Sequence, residues 1–449
     1  MTGSAYQRSV PSTWSQWSDT RVRHRILSAT WPLVALFLML PLWWILGLSG
    51  AILTALVLPL GLSLLFHRRV RAPHGFGLYV VFLVWCGLSA SQLADARQGF
   101  SLAYRGTLYV GAAFLFLYVL NASRDDLPAS TVVKIMAGFF AIAVIGGLIG
   151  MIVPNTQITT LAKGLLPPQA LNDQFILDLV SAATSSGRAF SAYPIYRPKA
   201  PFIYANEWGA AYAMALPFAI CAIPYLRTKL FRDLTALLLV VSVFPLVFSL
   251  NRGAWLSAAA GMLYATFRLA RGRNAQLLKV LALGGIVIGV LMFVTPLGEI
   301  VRTRIVNGYG DAHREQLYAQ SLELVKESPL LGYGAPVLVE GNLSAGTHGQ
   351  LWTIVVSQGL PGLVLFVAWL LWALWKASRP LPIGHPGDAN VRFWAEVAIF
   401  TAIVQMPYYD LLPWGLAIAM VAAGLAWREW MAGAPERPRS LGRAIGRRA

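Results

Sequence analysis

The segment Gly346-Thr347-His348-Gly349-Gln350-Leu351-Trp352 leads from a polar loop into an apolar run. That run continues through Gly359-Leu360-Pro361-Gly362 to about residue 375. A bilayer-spanning helix needs about 20 predominantly apolar residues, so this run is long enough to cross. Further apolar runs lie near 31–48, 51–66, 76–92, 107–121, 131–153, 206–225, 234–250, 253–267, 280–296, 392–408 and 412–427. The 449 residues are 57% hydrophobic and only 12% charged, where soluble domains carry roughly 25% charged residues. The expected fold is therefore an all-α polytopic membrane protein with about twelve transmembrane helices. A membrane β-barrel would alternate apolar and polar residues instead of showing continuous runs.

Basic residues set the expected orientation, because cytoplasmic loops are enriched in Lys and Arg. Arg21/Arg23/Arg25, Arg68/Arg69/Arg71, Arg227/Lys229/Arg232, Arg268/Arg271/Arg273/Lys279 and Lys376/Arg379 fall on one side, together with the arginines of the tail. The opposite segments balance eleven basic against eleven acidic residues, so the net charge of +17 belongs to the cytoplasmic side. It reports topology and contact with membrane lipids rather than nucleic-acid binding. The chain reads as a single membrane domain, 1–449. It has a cytoplasmic N-terminal segment (1–30), two long outer loops (154–205 and 295–350) and a basic cytoplasmic tail (428–449). The N-terminal segment lacks the layout of a cleaved signal, so the first span is expected to act as a signal anchor. Cys86 and Cys221 lie inside apolar runs and read as unpaired. No CxxC or Cys/His cluster suggests zinc.

Four places carry candidate chemistry. His348 is a titratable side chain at a membrane boundary, and histidine exchanges a proton near neutral pH. In the first long loop, Arg197 and Lys199 precede Asn206 at the entry to a span, an arrangement suited to an anion. Asn251-Arg252-Gly253 joins two spans with almost no loop, and an arginine so close to hydrocarbon needs a partner or a wet cavity. The second long loop holds Arg302, Arg304, His313 and Arg314, followed by an amphipathic helix expected over Glu315–Ser328. Arginine forks suit phosphate better than lysine does, so several arginines around one histidine point to a base beside a phosphate leaving group.

These elements, in this order, resemble the O-antigen ligase/O-antigen polymerase superfamily. The matching pieces are Arg197 to Asn206 before a span, Asn251-Arg252-Gly253 and Arg314 with Pro329-Leu330-Leu331-Gly332-Tyr333-Gly334. The last is His348 with Gly359-Leu360-Pro361-Gly362. The likeness covers about 195–375 by motif and the whole chain by span count. Two positions depart from the family: Gly349 replaces the usual Asn, Ser or Gln, and Asn251 replaces the usual Ser. The resemblance implies a metal-independent, inverting glycosyltransferase with a GT-C-like fold and no cofactor, in the bacterial inner membrane with its site facing outward. Its donor would be a glycan on undecaprenyl diphosphate, and its acceptor another glycan or a lipid. By the same likeness His348 is the catalytic base. Arg197, Arg252 and Arg314 bind the diphosphate, with Arg302, Arg304, Lys199 and Asn206 as further donor contacts. Ligase and polymerase share these motifs. From another class, a twelve-span transporter or flippase is the alternative, for which charges in mid-span and related halves are expected.

Overall fold

The computed structural model describes residues 28–66, 70–186, 196–272, 275–306, 311–339 and 343–432, with the backbone alone at 311–314, 339, 343 and 344. Most of the N-terminal segment, the basic tail from 433 onward, Arg68, Arg69, Arg273 and the side chain of Arg314 lie outside the described residues.

The first apolar stretch is broken: a short turn at Trp31–Leu33, a π-helical turn at Val34–Leu38 and a helix at Leu40–Leu46. The longer helices follow as α1 (Ile52–Leu65), α2 (Phe76–Leu88), α3 (Ala96–Asn121), α4 (Ala129–Ile152), α5 (Ala205–Ala222) and α6 (Lys229–Val241). After them come α7 (Arg252–Arg271), α8 (Ala275–Val294), α9 (Leu297–Val306), α10 (Asp311–Glu327), α11 (Gln350–Ser378), α12 (Ala389–Gln405) and α13 (Trp414–Met431). Short side chains close several N-termini: Asp95 accepts from Gln98 N (2.7 Å), Thr228 from Phe231 N and Asp388 from Asn390 N and Val391 N.

Six of the expected spans are helices long and apolar enough to cross a membrane: α3, α4, α5 continued to Tyr225, Lys229–Phe248, α8 and α11. α1 and Phe76–Gln92 are apolar but shorter. α12 and α13 are buried in the bundle and carry charge, with Arg392, Glu396, Arg428 and Glu429 all at most 4% exposed. Sequence reading leaves mid-span positions nearly charge-free, because it cannot see tertiary pairing. Buried charges persist only with partners. Glu396 is bonded by Arg268 (3.1 Å) and Tyr264, and Glu429 by Arg124 (2.7 Å) and Asp388 N (2.8 Å).

The described parts of the two long loops are folded rather than open. The first contains two small antiparallel pairings: β1 (Gln157–Ile158) with β2 (Ala182–Ala183), and β3 (Ser185–Ser186) with β4 (Arg197–Pro198). The second holds α9, α10 and the pair β5 (Val337–Val339) with β6 (Leu343–Ala345). The amphipathic helix begins four residues earlier than expected and buries Leu317 and Ser321, while Leu322 faces out. The i, i+4 relation puts Ser321, not Leu322, on the face of Leu317.

The Gly-Pro motif is a break in α11. Gly359 is left-handed (φ 68°, ψ −174°), and Pro361 has no N–H. The carbonyls thereby released accept from the Pro329–Gly334 turn instead: Tyr333 N donates to Val356 O (2.9 Å) and Gly334 N to Ser357 O (2.8 Å). In return Leu360 N donates to Pro329 O (2.8 Å), and Trp85 Nε1 donates to Gln358 O (2.9 Å). Two separate motifs thus complete each other's backbone hydrogen bonds. Irregular backbone among spans requires this kind of cover.

Candidate functional site

The centre of the site is the turn Ser249-Leu250-Asn251 that precedes α7. Leu250 is left-handed (φ 51°), which turns successive carbonyls outward to neighbours. Arg197 Nε donates to Ser249 O (2.7 Å), and its Nη2 donates to Asn206 Oδ1 (3.0 Å). Arg304 Nε donates to Leu250 O (3.3 Å). Arg252 is the first residue of α7. Four sequence candidates therefore meet: Arg197 from β4, Asn206 from α5, Arg252 from α7 and Arg304 from α9. These bonds to carbonyls orient the guanidinium groups of Arg197 and Arg304.

Lys199 and Arg302 sit elsewhere. Lys199 Nζ donates to Ile203 O (2.9 Å) and faces Asp178 and Glu207; burial pushes its pKa below the usual lysine value, against the opposing pull of those two carboxylates. Arg302 is exposed and pairs with Glu299 one turn back at 3.6 Å. Arg314 lies on α10, four residues before Tyr318. Asp311, His313 and Glu315 also lie on α10, where positions two apart do not share a face.

His348 lies between β6 and α11, half-buried. Its Nδ1 is 3.0 Å from Thr347 Oγ1, and its carbonyl accepts from Tyr318 OH at 3.4 Å. Tyr318 also stacks on Trp352, with ring centroids 4.6 Å apart, so α10 packs directly over the His348 loop. Gly349 has φ 147°, and a Cβ there would come within 2.5 Å of Pro407 O. This gives the departure at Gly349 a steric reason: the loop lies too close to the α12–α13 connection for a side chain.

That connection joins the two halves of the site. Gln350 N donates to Tyr409 O (2.7 Å), and Leu351 N to Met406 O (3.0 Å). The Tyr409 hydroxyl donates to Asn251 Oδ1, and Asn251 Nδ2 reaches Ala205 O (3.2 Å). Gln350 is fixed further by Tyr109 OH (2.8 Å) and Leu411 N (3.0 Å). Next to Tyr409, Asp410 is paired with Arg105 of α3 at 2.7 Å. Sequence reading counted Arg105 and Asp410 only as outer charges and missed Tyr409 and Gln350. The signal was present in Pro407-Tyr408-Tyr409-Asp410, a polar aromatic connection squeezed between two apolar runs.

The arrangement offers cationic forks on one side and an imidazole on the other, on a common frame. Among the described residues no group of three or more His, Cys, Asp and Glu side chains is placed to hold a metal. No curated protein matches the chain. Residues 237–367, which contain Arg252, Arg304, Arg314 and His348, match the family model described as O-Antigen ligase.

Proposed function

We propose that the protein is a glycosyltransferase that moves a glycan from undecaprenyl diphosphate to an acceptor hydroxyl at the outer face of the bacterial inner membrane, within a bundle of about twelve spans. The reading is supported above all by one observation. Arg197 and Arg304 hold adjacent carbonyls of the turn that leads into Arg252, and Tyr409 ties that turn to the loop of His348. The chemistry is a single displacement. The acceptor oxygen forms a bond to the anomeric carbon as the bond from that carbon to the diphosphate oxygen breaks, which inverts the centre. The hydroxyl proton passes to His348. In the neutral imidazole one ring nitrogen carries the lone pair that accepts it. The arginines stabilise the charge that grows on the departing diphosphate. Arg314, on the helix that touches His348 through Tyr318, is assigned to the same anion.

The experiment is glycan transfer by the purified, reconstituted chain supplied with a lipid-diphosphate donor and an acceptor glycan or lipid. Arginines supply the positive charge at the diphosphate in this scheme, so transfer is expected to survive exhaustive EDTA. Activity lost to EDTA and restored by a divalent cation would replace the arginine scheme by a metal-dependent one. Which acceptor supports turnover separates ligase from polymerase.

Arg252→Lys and Arg314→Lys are expected to lower kcat/KM by roughly tenfold to a hundredfold each. A point charge replaces a bidentate fork, and a hydrogen bond to a charged group contributes about 1.5–3 kcal/mol. Donor titrations should show weakened binding as well as slower turnover. Lysine variants with wild-type kinetics would mean that net charge alone serves there.

A further inference from the structure

At the end of α11 opposite His348, two cations share one indole. Lys376 Nζ lies 4.7 Å from the Trp375 ring centroid, and Arg379 Cζ lies 3.9 Å from it. Trp372, Trp427 and Trp430 surround the same ammonium at 5.8, 5.6 and 5.8 Å. Neither cation forms an ion pair with a carboxylate among the described residues. Two more cations close on the same helix end: Arg392 donates to Lys376 O (2.6 Å) and Arg268 to Ser378 O (2.8 Å). Glu396, paired with Arg268, is the acid that faces this group. Ring faces attract cations but do not neutralise them, so the like charges held on Trp375 repel until an anion joins them.

The surface leading to this point is apolar. Leu360, Val364, Leu371 and Trp375 are 48, 63, 49 and 48% exposed and recur at helical spacing along one face of α11. Trp430 borders the end of the stripe at 38% exposed. An apolar stripe ending in two unneutralised cations complements a molecule with acyl chains and an anionic head. A soluble anion would use only the cations.

We infer that Trp375, Lys376, Arg379 and Trp430 form a binding site for an anionic phospholipid, its phosphate between Lys376 and Arg379 and its acyl chains along the Leu360–Trp375 stripe. The site is separate from the transfer chemistry and does not depend on it.

Native mass spectrometry of the full chain with equal amounts of phosphatidylglycerol and phosphatidylcholine of matched acyl chains tests this. The wild type is expected to retain the anionic lipid with a preference on the order of tenfold to thirtyfold, from two basic residues near one headgroup. Lys376→Ala with Arg379→Ala should bring the ratio close to one. Lys326→Ala, an exposed cation already paired with Glu323, should leave the preference unchanged. Should the double alanine variant fail to fold, Arg379→Gln alone must still lower the ratio. Three results would overturn the inference: equal retention of both lipids by the wild type, a preference kept by the double variant, or an adduct displaced by millimolar inorganic phosphate.

Discussion

His348→Ala is expected to abolish detectable glycan transfer while the protein inserts and accumulates normally. Removing a general base typically slows the chemical step by about 10²–10⁴-fold. Folding should tolerate the change, because the anchors of this loop are mainly backbone groups. Tyr318 bonds the carbonyl at 348, Gln350 N bonds Tyr409 O and Leu351 N bonds Met406 O. The hydrogen bond to Thr347 joins sequence neighbours and holds no distant element in place. The decisive measurement is single-turnover transfer in proteoliposomes containing equal amounts of wild type and variant. Near-wild-type rates would move the base to another residue and leave His348 a structural role.

Gly359→Ala is expected to produce the largest loss of stability. A Cβ at this position would stand 2.2 Å from Leu330 O and 2.7 Å from Pro329 O, both backbone atoms that cannot swing aside. The left-handed backbone adds about 1–2 kcal/mol for a residue with a side chain. Pushing the turn away also strands the carbonyls of Val356 and Ser357 and the N–H of Leu360, each about 1–3 kcal/mol when buried without a partner. The total exceeds about 3 kcal/mol, enough to deplete the folded protein. Gly284→Ala in α8, where a Cβ meets open space, is the matched control and should be neutral. Thermal unfolding and membrane yield of the two variants give the comparison; equal values would mean that the break in α11 relaxes without cost.

The long helices were legible because hydrophobic runs are a local property of the chain. So was α10, where apolar spacing announces a face. Ser321 on that face is buried by its neighbours rather than by its own chemistry, which apolar spacing does not announce. Arg197, Asn206 and Arg252 were legible as cations and an amide before or at helix entries and Arg304 as a cation of the second long loop, and all four meet at one turn. Lys199 and Arg302 have equal charge, but charge carries no direction, and the first is held by Ile203 O and the second by Glu299. The polar aromatic connection at Tyr409 stands out in the sequence, but the partners of Tyr409 and Gln350 do not, because those contacts span more than fifty residues of sequence and no local pattern encodes them. The buried pairs of α12 and α13 were missed for the same reason.

The break in α11 also bears on the order in which the site is made during synthesis. The Pro329–Gly334 turn precedes the helix by a short length of chain, so it is already present when Val356 and Ser357 emerge. Closing that small loop has a modest entropic cost, and contacts so near in sequence form early. The clasp within α11 therefore belongs to a nascent chain that ends at α11. Met406 and Tyr409 come later, with the connection to α13, and only then is the His348 loop anchored and tied to Asn251 and the arginine turn. A chain stalled after Ser378 would hold its arginines on a finished turn and its histidine on a loop still without those two backbone partners, and translation of α12 and α13 is the step that joins them.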